Sequence, residues 1–113
     1  MKMDKISDIR ERYLEITKDK RIGGSAQLYA LAKRINQVLK EVPSKYLIPL
    51  FVLHTIIKDI AIDQDERPVE VKECQDLYTK LNSEITKLLD DLEKEVEDTV
   101  IIEDTINLIK KWI

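Results

Sequence analysis

Between Tyr46 and Ile62 the chain is apolar on nearly every side of a helix. Leu47, Ile48, Leu50, Phe51, Val52, Leu53, Ile56, Ile57 and Ile60 fill the interval, and only His54, Thr55, Lys58 and Asp59 leave a narrow polar stripe. A helix apolar over most of its circumference must be covered from several sides, so this segment is expected at the centre of the fold. Pro49 falls in its first turn or two, where a missing N–H costs least. Pro49, Lys58 and Asp59 also make the stretch a poor membrane span, which needs about 20 consecutive apolar residues.

The rest of the chain supplies covering helices. Ile6, Ile9, Tyr13 and Ile16 recur every three or four residues and predict a first helix over 4–18. Gly23 and Gly24 break it, and Ser25 is a plausible N-cap for the next. Leu28, Leu31, Ala32, Ile35, Val38, Leu39 and Val42 give a second helix over 26–41, ended by Pro43, with Ser44 placed to cap the central helix over 45–62. A polar loop over 63–68 follows. Pro68 then opens a fourth helix that runs to residue 97, with one stripe through Val71, Cys74, Leu77, Tyr78, Leu81, Ile85, Leu88, Leu89, Leu92 and Val96. At 1.5 Å per residue it would be roughly 45 Å long, so it either breaks near Asn82-Ser83 or packs its second half on something further. A fifth helix over 100–112 is the candidate, with Ile102, Ile106, Ile109 and Ile113 in one row and Ile101, Leu108 and Trp112 in another. The expected fold is all-α: one domain, an antiparallel four-helix bundle with an additional C-terminal helix.

Composition narrows the functional classes. In 113 residues there are 2 Gly, 3 Pro, 1 Cys and 1 His. Tight turns are too few for a sandwich or barrel, and a lone cysteine builds no internal disulfide. No metal or cofactor site is expected. An EF-hand loop starting at Asp63 would need an oxygen ligand at Arg67, glycine at Pro68 and glutamate at Cys74, and all three fail. A carboxylate-bridged di-iron bundle needs Glu three residues before His, and Phe51 stands there before His54. Cys74 and His54 are expected on or beside buried stripes rather than paired as nucleophile and base. Gly23-Gly24 lacks the strand and spacing of a phosphate loop. The chain is therefore not expected to be an enzyme.

The net charge of −3 divides unevenly, with +5 over residues 1–60 and −8 over 61–113. The simplest consequence is attraction between a basic and an acidic half within one bundle. Lys18, Lys20, Arg21, Lys33, Arg34 and Lys40 give a modest basic surface, but with little aromatic interleaving and an acidic second half, no nucleic-acid partner is expected. The charged N-terminus lacks the apolar core of a signal peptide. A cytoplasmic location is expected, with peripheral contact at the inner face of the membrane. Ile109, Lys110, Lys111, Trp112 and Ile113 combine an aromatic anchor, apolar flanks and cations, a composition suited to a protein or membrane-interface contact.

In layout the chain resembles the bacteriocin immunity proteins of the enterocin A type. The matching blocks are the amphipathic segment 6–17, the polar loop to Ser25, the helix over 28–42, the apolar 47–62 and the amphipathic 69–85. The stretch from Thr86 onward departs from the pattern. In that family the C-terminal half tends to set which bacteriocin is recognised, so the target stays open. The resemblance implies a non-catalytic cytosolic binder that protects a producer cell by acting on a bacteriocin-bound membrane receptor such as a mannose permease. The contact surface expected here is Glu93, Glu97, Asp98, Ile109, Lys110, Lys111, Trp112 and Ile113. A helical protein-interaction subunit, oligomerising through the fourth and fifth helices, is the alternative, and a nucleic-acid-associated accessory protein a weaker one.

Overall fold

A computed structural model of the chain describes residues 4–18, 25–66 and 76–113. Among them are five α-helices and no strand: α1 (Asp4–Ile16), α2 (Ser25–Val38), α3 (Leu47–Asp65), α4 (Asp76–Lys94) and α5 (Asp98–Trp112). The fold is all-α. The expected start of the fourth helix at Pro68, together with Gly23, Gly24, Val71 and Cys74, lies outside the described residues.

Helix α3 organises the packing. It lies chiefly against α2 and touches both α4 and α5, while α1 bridges α2 and α4 and α5 lies along α4. Leu50, Leu53, Ile56, Ile57, Ile60 and Ala61 of α3 join one core with Ile6, Ile9 and Tyr13 of α1, Leu28, Leu31 and Ile35 of α2, Leu81, Ile85, Leu88 and Leu92 of α4, and Ile101 and Leu108 of α5. Each set recurs at three- and four-residue spacing, the period that brings one face of a helix to its neighbours.

Several helix ends differ from expectation, each for a local reason. A short 3-10 turn, Ser44–Tyr46, leads into α3, and Tyr46, not Ser44, caps it, without a side-chain hydrogen bond. Ser25 is the first residue of α2, and its hydroxyl donates to Asp65 at the far end of α3. The expected polar loop from residue 63 is instead the last turn of α3. Ala61 and Gln64 extend the buried face by one more turn, and the Glu66 amide donates to the Ile62 carbonyl. Helix α4 runs unbroken through Asn82-Ser83, where the Asn82 side chain accepts the Tyr13 hydroxyl proton, and its second half packs on α5. It stops at Lys94, short of residue 97, because Glu95 turns left-handed at φ 56°. The Val96 amide donates to the Asp91 carbonyl and the Glu95 amide to the Leu92 carbonyl, the pair of bonds that closes a Schellman turn, usually with glycine at the position Glu95 holds.

The larger correction concerns α3 itself. It is not covered all round. Leu47, Ile48, Phe51 and Ile62 remain exposed, because α2, α4 and α5 reach its other flanks and nothing described lies over this one. The fifth helix divides its two rows in the same way: Ile101, Thr105 and Leu108 are buried, and Ile102, Ile106 and Ile113 face out.

The two sides of α3 should therefore differ in stability cost. Leu53→Ala, which opens a cavity in the core, is expected to cost about 2–5 kcal/mol, whereas Ile48→Ser should lie within about 0.5 kcal/mol of the parent. Denaturant unfolding at low protein concentration measures both. Equal losses would mean that the Ile48 side is buried.

Candidate protein-binding face

Where α3 begins and α5 passes beside it, the two exposed apolar rows enclose a groove of about 410 Å³. Ile48 and Pro49 form one wall, and Ile101, Ile102, Ile106 and Ile109 form the other. Ile48 is 72% exposed, Ile102 58% and Ile106 45%, and Phe51, one turn along α3, is 56% exposed. One end of the groove is polar: Lys45 approaches Asp98 at 4.0 Å and stands 5.3 Å from the centre of the Tyr46 ring. A second cleft, about 480 Å³ between α1 and α2, is larger but lined by Asp8, Glu11, Arg12 and Glu15. Its main charge is already neutralised: burial pushes the Asp8 carboxyl up, but hydrogen bonds and charge from Arg12 and Arg34 outweigh it and hold Asp8 below the ordinary carboxylate range. The α3–α5 groove is the better candidate, since an apolar concavity on a charged surface gains most from being covered.

The residues expected at the contact do not gather in one place. Asp98 and Ile109 line the groove. Lys110 and Ile113 are exposed on α5, and Glu97 is exposed at its start, where its carbonyl accepts the Val100 and Ile101 amides. The others hold the fold together. Glu93 faces α1, accepting the Ser7 hydroxyl at 2.8 Å, with Arg10 3.6 Å away on its way to Asp90. Trp112 is half-buried, and its ring N–H donates to Asp59 of α3 at 2.7 Å, which fixes the last turn of α5 to the central helix. Lys111 reaches toward Glu84 of α4 at 3.9 Å. Lys110 and Lys111 sit in the last turn of α5 and Asp98 in its first, each at the end of the helix dipole that favours its charge. Ile48, Phe51, Ile102 and Ile106 were not among the expected contact residues.

The α4–α5 seam beneath the groove contains a charged cluster. Asp104 is only 4% exposed. Lys87 bridges it at 3.4 Å to Asp91 at 2.8 Å. Burial, a hydrogen bond to Asp91 and the charge of that neighbour raise the Asp104 carboxyl to about 6, while the Asp104 bond and Lys87 lower Asp91. A hydrogen bond between two carboxyl groups needs one proton, and below about pH 6 the raised Asp104 is the partner that holds it. One Asp104 oxygen and one Glu84 oxygen are buried without a partner beside a small cavity of about 70 Å³ that also meets Ser83 and Asn107. That volume suits one or two bridging waters.

Among the described residues, the histidine weighed as a catalytic base is taken up in helix packing. His54 Nδ1 donates to the Ala32 carbonyl at 2.9 Å, tying α3 to α2. No group of three His, Cys, Asp or Glu side chains there is placed to hold a metal ion, and no helix is long and apolar enough to cross a membrane. No protein-family model, curated protein or solved structure matches the chain.

The carboxyl pair gives a pH dependence of defined sign. With Asp104 raised from 3.8 to about 6, the folded protein between those pH values holds a proton that the unfolded chain has released. Stability from this group is thus complete below pH 4 and declines as pH rises through 6. Asp104→Asn can still donate to Asp91 but cannot titrate. Relative to this variant, the parent should lose about 1–2 kcal/mol between pH 4 and 7, read from denaturation midpoints across that range. A stability difference that stays constant with pH would refute the shared proton.

Proposed function

We propose that this chain is a non-catalytic helical protein-interaction subunit that works through the apolar face formed by the start of α3 and the outer row of α5. The observation that carries this reading is the groove itself. Ile48, Ile102 and Ile106 line it together and stand in water, although the sequence is 36% charged and has polar residues for an ordinary outer surface. Contiguous exposed apolar side chains with a charged rim are the usual mark of a surface that another macromolecule covers.

The layout resemblance to bacteriocin immunity proteins gives the role a particular form: a cytosolic binder at the inner face of the membrane that acts on a bacteriocin–receptor complex, such as a mannose permease occupied by a bacteriocin. In that form the α3–α5 face takes the place of the charged tail as the contact surface, because Glu93, Lys111 and Trp112 are engaged within the fold.

A photo-cross-linking amino acid in place of Ile106, compared with one in place of the exposed Lys33 on α2, tests the interaction reading in living cells. Adducts of discrete mass are expected from position 106 and not from position 33. No adduct, or the same adducts from both, would contradict it. The immunity form adds a requirement in a bacteriocin-sensitive strain: the parent chain permits survival and Ile106→Asp abolishes it. Killing undiminished by the parent chain removes that form and leaves the interaction reading to the cross-link.

A further inference from the structure

We infer that the face is covered by a second copy of this chain, with α5 of one copy antiparallel to α5 of the other in the groove beside α3. This rests on the interaction reading above and names its partner. Three features of α5 point to self-pairing rather than to an unrelated apolar ligand.

Ile102, Ile106, Ile109 and Ile113 follow one another at intervals of four, three and four residues. That is the seam spacing of two helices packed side by side. The core does not use this row. It takes Ile101, Thr105 and Leu108 instead, so the seam is left for a second helix.

Glu103 and Lys110, each one residue beyond a seam isoleucine, flank the same side of the row and are both exposed. Neither takes part in an ion pair among the described residues, although most neighbouring charges do. Seven residues apart, roughly 10 Å along the helix, they do not meet within one copy. A two-fold axis crossing the seam near Ile106 reverses the second helix and sets Glu103 against Lys110 of the second copy. The same operation sets Lys110 against Glu103 of the second copy, so one symmetry element satisfies both charges. A parallel arrangement would set Glu103 and Lys110 on opposite sides of the pair and leave both unpaired.

The helix ends agree with this direction. Asp98 marks the start of α5 and Lys110 and Lys111 its end, so antiparallel pairing brings acidic and basic ends together and opposes the two dipoles. Ile48 and Pro49 then wall the side of the pairing. They are needed, because a helix about 22 Å long does not by itself reach the roughly 800 Å² per partner of a standard interface.

Sedimentation equilibrium, run from about 1 μM to about 1 mM protein, reads the outcome directly. The parent mass should rise toward twice that of one copy. Glu103→Lys puts cation against cation twice across the axis and should weaken pairing about tenfold. The double variant Glu103→Lys/Lys110→Glu should restore it to within about threefold, because the swapped charges again meet their opposites. All these positions are exposed, so the helical circular dichroism of each variant should match the parent. A single-copy mass at every concentration overturns the inference. So does a dimer that Glu103→Lys leaves unweakened, or that the double variant fails to restore. In any of these cases adducts from position 106 to another protein would still uphold the interaction reading, whereas the absence of adducts would remove both.

Discussion

The structure depends on the packing of a helix that is more apolar than its neighbours can cover. Helix α3 lies mainly against α2, with lighter contact to α4 and α5. Those helices bury Leu50, Leu53, Ile56, Ile57 and Ile60, and through them the core of the molecule closes. The flank holding Leu47, Ile48 and Phe51 stays exposed among the described residues. Burying a side chain of this size is worth about 1.5–3 kcal/mol, so leaving the flank in water forgoes a stabilisation that four helices of this length cannot supply. A surface that costs stability in one copy is one that association can use.

Helix α5 determines how that surface is presented. Trp112 pins its end to Asp59 of α3, and the Lys87, Asp91 and Asp104 cluster holds its middle to α4. These are polar anchors in a mainly apolar interface, and they fix the rotation of α5. With Asp104 and Leu108 turned inward, Ile102 and Ile106 can only face out. A purely apolar α5, with two nearly equivalent rows, has less to choose between them. The buried carboxyl pair is thus a positioning device: it costs stability as pH rises and selects which row of α5 meets solvent.

Much of this was legible in the residues. The recurrence of Ile6, Ile9 and Tyr13, of Leu28, Leu31 and Ile35, and of Leu81, Ile85 and Leu92 identified both the helices and their buried faces, since a single amphipathic stripe has only one way to face a core. Two kinds of feature were not legible. Helix ends set by tertiary contact escaped: Gln64 is polar yet buried, which carries α3 past the expected loop, and Glu95 adopts a glycine-like conformation that no propensity favours. The binding face escaped for a related reason. Periodicity shows that α3 is apolar all round and that α5 has two apolar rows, but not which row is left uncovered. The clue was the surplus itself, more apolar rows than the other helices could bury. Trp112 and the lysines have the composition of a contact surface, yet Trp112 and Lys111 reach toward neighbouring helices.

The division between the inner and outer apolar rows can be measured at single side chains. With the isoleucine methyl groups labelled, a soluble paramagnetic cosolute added to dilute protein broadens the nuclear resonance signals of those that water reaches. Ile48, Ile102 and Ile106 should be strongly broadened, while Ile9, Ile35, Ile56, Ile57, Ile60 and Ile85 stay sharp. Protection of Ile102 and Ile106 together with broadening of Ile101 would show α5 turned the other way, and the groove, with everything built on it, would not exist.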